Sequence, residues 1–187
     1  MQEIEIKSYL RDKQSVVSKL EKLGCVLSAP VKQIDTVYIK IIGNLENFLK
    51  NDHFVRIREK SDGHNVFTVK ANKSRSIKKD ELVKIEHETE VKNVRELEQC
   101  LFVMGYKFSN RVIKTRISTH LKDYEICLDD VEELGSFIEV EKMTDNNFLD
   151  EQIILDELNS FMFSLGVPSS DGINKGYDIM MVEKMYK

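Results

Sequence analysis

Charged and apolar residues alternate along much of this chain. In Glu3-Ile4-Glu5-Ile6-Lys7 a strand would place Glu3, Glu5 and Lys7 on one face and Ile4 and Ile6 on the other. The same period-two pattern returns in Val55–Arg58, Phe67–Lys70, Lys84–Lys92, Ile113–Ile117, Tyr124–Asp129 and Phe137–Glu141, and a further strand is predicted around Asp35–Ile39. About eight short strands is a count suited to a sandwich or a barrel. Between them the apolar spacing lengthens to that of a helix. Asp12 is an N-cap for a helix carrying Val16, Val17, Leu20 and Leu23, ended by Gly24. Asn93 caps a second, with Val94, Leu97, Leu101 and Met104 before Gly105. A third is predicted over 149–165, ended by Gly166, and an amphipathic stretch over 174–186 closes the chain. A short repeat accompanies this order. Three strands bearing paired carboxylates, Glu3 with Glu5, Glu88 with Glu90, and Glu139 with Glu141, each lead into a helix.

Taken singly, each strand reads as one wet face of an antiparallel sheet. Together they read differently, because the polar face often carries two like charges at i and i+2. Arg56 with Arg58, Lys114 with Arg116, and Glu139 with Glu141 are such pairs. Like charges that close repel and call for a compensating partner. The expectation is an α+β fold with a closed antiparallel β-barrel. Basic and acidic strands would face one cavity, and the helices would pack on the outer, apolar side. Closure would also remove exposed strand edges.

Composition narrows the partner. Lys and Arg total 28 against 32 Asp and Glu, a net charge of -4. That balance argues against a nucleic-acid-coating protein, which carries a basic excess. No apolar run approaches the ~20 residues needed to span a bilayer, and the charged N-terminus does not read as a signal peptide. Cys25, Cys100 and Cys127 are odd in number and widely spaced, which reads as reduced thiols packed as small core residues of a cytoplasmic protein. No linker or low-complexity tract divides the chain, so residues 1–187 read as one domain.

The inward charges select a ligand. Lys7, Arg56, Arg58, Lys70, Lys114 and Arg116 suit phosphate oxygens, which guanidinium forks bind bidentately. That many cations suggest a polyphosphate. Glu3, Glu5, Glu88, Glu90, Asp129, Glu139 and Glu141 supply hard oxygens, and carboxylates beside phosphates imply Mg²⁺ or Mn²⁺ between them. The combined set fits a metal–triphosphate complex.

The N-terminal Glu3-Ile4-Glu5-Ile6-Lys7 resembles the ExExK signature of the CYTH superfamily, the triphosphate tunnel metalloenzymes. Phe54–Glu59, Lys70, Glu88 with Glu90, Lys114 with Arg116, and Leu128–Glu141 resemble its successive basic and acidic strands, so the resemblance covers essentially the whole chain. It is nearest to the class IV adenylate cyclase branch, through Arg56-Ile57-Arg58-Glu59, Leu134–Glu141 and Lys175-Gly176-Tyr177. One departure, within Ala71–Lys84, is the lack of an arginine shortly before the acidic strand, where Lys84, or Arg75 further upstream, would substitute. The resemblance implies ATP with its phosphates held by Lys7, Arg56, Arg58, Lys70, Lys114 and Arg116. Glu88 and Glu90 would belong to the substrate site. Glu3, Glu5, Glu139 and Glu141 would hold metal, and Lys7 and Asp129 are the catalytic candidates. It also implies possible pairing of two copies. Three readings stay open: conversion of ATP to cyclic AMP, hydrolysis of tripolyphosphate or thiamine triphosphate, and binding without turnover. Lys175 or Tyr177 would reach the substrate if the last helix closes one barrel end.

Overall fold

The structure, a computed structural model of the 187-residue chain, describes residues 2–72, 84–144 and 151–186. The chain forms two compact units, Met1–Pro30 with Thr115–Asn174, and Val31–Lys114 with Lys175–Lys187. Each unit takes two stretches of chain, and one crossing falls inside a continuous strand. That is why no linker composition marks a boundary.

The first unit contains β1 (Gln2–Tyr9), β7 (Tyr124–Val131), β8 (Gly135–Thr144), the two-residue β9 (Gly172–Ile173) and the C-terminal part of β6 (Lys107–Leu121), with helices α1 (Lys13–Lys22) and α4 (Glu151–Ser164). Its strands lie in the order β6-β7-β8-β1-β9. β1 and β8 pair antiparallel with Ile4 opposite Lys142, Ile6 opposite Val140 and Lys7 opposite Glu139. Pairing of β7 with β8 sets Ile126 opposite Val140 and Leu128 opposite Ile138. Facing residues share a side of the sheet, so the apolar side is continuous. It packs on Val16 and Leu20 of α1 and on Ile154, Leu158 and Met162 of α4. Asp12 caps α1 as expected, accepting from the Ser15 N–H at 2.9 Å. Gly24 ends α1 at φ +85°, a conformation that costs a Cβ-bearing residue ~1 kcal/mol or more.

The second unit contains β2 (Val31–Ile39), β3 (His53–Lys60), β4 (Asn65–Asn72), β5 (Lys84–Glu90) and the N-terminal part of β6, in the order β5-β4-β3-β2-β6, with α2 (Leu45–Leu49), α3 (Val94–Val103) and α5 (Tyr177–Met185). One side of this sheet presents Tyr38, Val55, Ile57, Phe67 and Val69 to Val94, Leu97 and Leu101 of α3. The other side is charged along most of its length. At one end it turns apolar, where Val37, Ile39 and Phe54 meet Leu45 and Phe48 of α2 and Ile179 and Val182 of α5. Each strand that carries paired carboxylates does lead into a helix: β1 into α1, β5 into α3, and β8 into α4.

Several expectations change. The hydrogen-bonded order runs from β5 to β9, and no pair among the described residues joins those two strands, so hydrogen bonding does not close a barrel. The physical reason is that β9 has only two residues, both paired to β1 as Ile173 to Lys7 and Gly172 to Ser8. β6 is far longer than the five-residue alternation that predicted it, because its first residues, Lys107–Arg111, lack that alternation. α2 is one turn capped by Asn44, too short to show periodicity. Of the cysteines, Cys25 packs in the core, Cys100 is exposed on α3, and Cys127 is buried opposite Glu139, on the charged side. Arg75 and the segment Lys78–Glu81 lie outside the described residues.

Leu158 is fully buried between α4 and the first unit's sheet. Leu158→Ala is expected to cost about 3 kcal/mol in urea unfolding. A loss below ~1 kcal/mol would contradict this packing.

Candidate functional site

In the first unit the charged side of the sheet is built by register. Lys7 and Glu139 face each other across β1 and β8, as do Glu5 and Glu141, and Glu141 also faces Glu125 of β7. The Lys7 Nζ lies 3.0 Å from Glu139 and 3.3 Å from Glu5. Arg116 donates from Nε to Asp129 Oδ1 at 2.7 Å and from Nη2 to Asp129 Oδ2 at 2.6 Å. The same Nη2 also donates to Glu139. Asp129 is fully buried and Glu139 nearly so. Burial alone would pull the Lys7 pKa down, but Glu139 and then Glu5 outweigh it and hold Lys7 above its ordinary range. Lys7 therefore stays charged and can neutralise an anion, but it does not take up a proton. Arg116 behaves alike, with Glu139 and Asp129 overcoming its desolvation. Burial pushes the neighbouring Cys127 thiol up, which makes it a poor nucleophile.

The second unit repeats the device with different residues. Arg58 forks onto Asp35, Nε to Oδ1 and Nη2 to Oδ2, both at 2.7 Å. Arg56 donates from Nη2 to Thr68 at 3.0 Å, to Glu88 at 3.0 Å and to Glu86 at 3.2 Å. Lys70 pairs with Glu86 at 2.7 Å. Lys114 is 2% exposed and lies over the Tyr177 ring, 5.1 Å from its centroid. Burial would raise the Asp35 pKa, yet Arg58, then Arg56 and Lys114, hold it well below the carboxylate range. Glu88 is lowered as well: burial opposes this, and the Thr68 hydroxyl, Arg56 and Arg58 outweigh it. One polar atom stands out. The Arg56 Nε is buried without a hydrogen-bond partner, and an unmet guanidinium N–H is costly unless an anion arrives.

The structure thus brings Lys7, Glu5, Glu139, Asp129 and Arg116 together in one unit, and Arg56, Arg58, Lys70, Glu88 and Lys114 in the other. Glu90 is not brought in: its side chain is 83% exposed and its neighbour is His64 at 3.9 Å. Glu3 pairs with Met143 in the ladder, and its side chain lies outside the described ones, as does that of Lys84. Lys175 is turned to Glu183 at 2.5 Å. Asp35, Glu86 and Thr68 were missed. Asp35 could have been found as a lone carboxylate inside Ile34–Ile39, and Glu86 by its shared parity with Glu88.

Glu5, Glu139 and Glu141 supply oxygens of the kind a hard divalent cation takes. Glu5 and Glu141 are carboxylates at facing positions, and like charges so placed repel unless a cation relieves them. Among the described residues no three Asp, Glu, His or Cys side chains converge as a preformed cage.

Asp35 gives a pH test. Its folded pKa lies below the unfolded 3.8, so its stabilisation is fully present above that value and is lost as pH falls through the folded pKa. Asp35→Asn is expected to cost about 3 kcal/mol at neutral pH, because it breaks a buried pair. It should also flatten the loss of stability between about pH 5 and pH 2. Urea unfolding across that range measures both, and parallel pH slopes for variant and wild type would refute the linkage.

The sequence and fold are similar to those of known proteins. A CYTH domain model matches residues 1–177. A Methanocaldococcus jannaschii protein, named as a putative adenylate cyclase, is 32% identical over 178 residues, covering 95% of this chain and 97% of that one. The PH1819 protein of Pyrococcus horikoshii OT3 superposes with a TM-score of 0.79 at 26% identity, covering 97% of this chain and 99% of that one. A Hippeastrum protein, described as a putative adenylyl cyclase with a dominant triphosphatase activity, has a TM-score of 0.60 at 16% identity, over 100% of this chain and 97% of its own, which shows the fold alone. With the family model spanning nearly its full length, the chain belongs to the CYTH domain family.

Proposed function

We propose that this protein is a divalent-metal-dependent enzyme that converts ATP to cyclic AMP and pyrophosphate. The observation that carries the triphosphate reading is the set of buried cations on the charged sides of the sheet. Lys7, Arg56, Arg58, Lys70 and Arg116 have side chains no more than 18% exposed, and Lys114 is 2% exposed. Burying charges costs several kcal/mol per ion before pairing. Apolar residues would fill the same space more cheaply, which favours a role in ligand binding over one in stability. The closed barrel, the cytoplasmic setting and a single functional domain over 1–187 belong to the same reading. The free thiols of Cys25, Cys100 and Cys127 support that setting.

Each residue then has a part. Lys7, Arg56, Arg58, Lys70, Lys114 and Arg116 neutralise phosphate oxygens as pyrophosphate charge develops. Asp35 and Asp129 are positioning residues, fixing Arg58 and Arg116 as rigid forks. Glu5, Glu139 and Glu141, with Glu3, would hold Mg²⁺ or Mn²⁺, which supplies Lewis-acid charge at the phosphates. The ribose 3′-oxygen bonds to the α-phosphorus, the α–β bridging bond breaks, pyrophosphate leaves, and the hydroxyl proton passes to solvent. Lys7, which stays charged, acts by electrostatics. No covalent enzyme intermediate is needed.

A second reading, hydrolysis of the terminal phosphate, is favoured by the triphosphatase activity described for the Hippeastrum protein. ATP with Mn²⁺ or Mg²⁺ should give cyclic AMP and pyrophosphate in equal amounts. Release of ADP and phosphate alone, or much faster turnover of tripolyphosphate, would select the hydrolase. Under either reading Lys7→Met should lower kcat/KM by about 100-fold, and Glu141→Gln should raise the metal concentration giving half-maximal rate. Unchanged rates in Lys7→Met would refute the assignment of Lys7.

A further inference from the structure

The charged side of the second unit does not end at Lys70. Beyond it, on the same side, lies a recess lined by Ile39, Phe48, Leu49, Phe54, Lys70 and Asp178, among others. Register fixes its position. Phe54 faces Lys70 across β3 and β4, and Arg56 faces Thr68 one step along. Two residues of strand span about 7 Å, so the recess adjoins the cations assigned to phosphate. Part of its wall is apolar and aromatic, and Asn51, Asp52 and His53 line it as well. The Phe48 and Phe54 rings lie 6.3 Å apart between centroids at 35°.

One of its polar groups is left unmet. The Asp178 Oδ2 is buried and has no hydrogen-bond partner. The other oxygen, Oδ1, is folded over the backbone at Gly176, where a Cβ would meet it at 2.2 Å. The carboxylate is therefore held against the start of α5, with Oδ2 as the acceptor left over. A helix N-terminus favours a carboxylate, but that accounts for neither the aromatic recess nor the unmet oxygen. An acceptor left unmet in an apolar recess is costly. Pockets for small organic molecules have this composition, mostly apolar with a few placed polar groups.

An inorganic polyphosphate would meet Lys70 at the edge of the recess, but Asp52 and Asp178 repel it and Phe48 and Phe54 offer it no hydrogen bond. A flat ring bearing an amine meets every requirement. We propose that this recess is a base subsite. It takes the nucleobase of a nucleoside triphosphate, with Phe48 and Phe54 against the ring and Asp178 accepting a hydrogen bond from an exocyclic amine. Asp178 is then the residue that makes the enzyme prefer an aminated nucleotide over one without the amine. The inference rests on the triphosphate reading above and names the organic part of its substrate.

Calorimetric binding to the full chain tests it, run without divalent metal so that no turnover intervenes. The probes are ATP, purine riboside 5′-triphosphate, which lacks the amine, and tripolyphosphate. Wild type should bind ATP about tenfold more tightly than the purine riboside compound. Asp178→Ala should bring the two within about twofold and leave tripolyphosphate affinity unchanged. Leu49, 42% exposed at the rim, supplies a second variant that leaves α5 intact. Leu49→Trp should weaken both nucleotides and spare tripolyphosphate. Equal wild-type affinity for the two nucleotides overturns the base subsite. So does parallel loss of ATP and tripolyphosphate in both variants. Tripolyphosphate binding without any preference for the amine leaves the triphosphate reading standing alone, whereas binding of none of the three probes, either without divalent metal or with Ca²⁺ added, removes both.

Discussion

A strand that turns every second side chain to one side of a sheet must compensate whatever charge it collects there. This constraint organises the charged side of both units. In the first unit Glu139 sits between Lys7 and Arg116, and Arg116 is held by Asp129. In the second, Asp35 holds Arg58, and Glu86 and Glu88 share Arg56. Each cation is paired with carboxylates that neighbouring strands hold in place. Removing one member leaves a buried charge uncompensated, so the network stands as a set.

The apolar side is what makes this tolerable. Ile4, Ile126, Leu128, Ile138 and Val140 belong to one core with α1 and α4, and Tyr38, Val55 and Ile57 to another with α3. Each fully buried aliphatic side chain contributes roughly 1.5–3 kcal/mol. The two cores therefore offset the desolvation of the charges on the opposite side. Where the charged side of the second unit gives way to Val37, Ile39 and Phe54, α2 and α5 cover it. The change from ion pairs to aromatic wall occurs within a few residues of β3. It separates a region suited to phosphate from one suited to a ring.

Much of this is visible in single residues. The alternation Ile4-Glu5-Ile6-Lys7 states its own two sides, and Gly24 and Gly105 mark helix ends by the positive φ they adopt. Other features leave weaker traces. Asp35 is one acidic residue in an apolar strand, and its importance depends on facing Arg58. Glu90 has the same parity as Glu86 and Glu88 but lies at the exposed end of the ladder, so shared parity does not bring it to the cations. Asp178 is by sequence one acid in the first turn of a helix, and only the fold buries its Oδ2 without a partner.

By itself, the sequence determined which residues share a side, since period two is a local property of the extended backbone. It also determined that cations and carboxylates were too many for an ordinary wet face. Which carboxylate meets which cation was decided only by the tertiary structure. Pairing depends on register between strands far apart in the chain, as with Arg56 and Glu88 or Lys7 and Glu139. The open hydrogen-bonded order of the sheet, ending at a two-residue strand, was likewise invisible. A ladder of two residues carries no periodicity to read, and it exists only because β1 is there to pair with it.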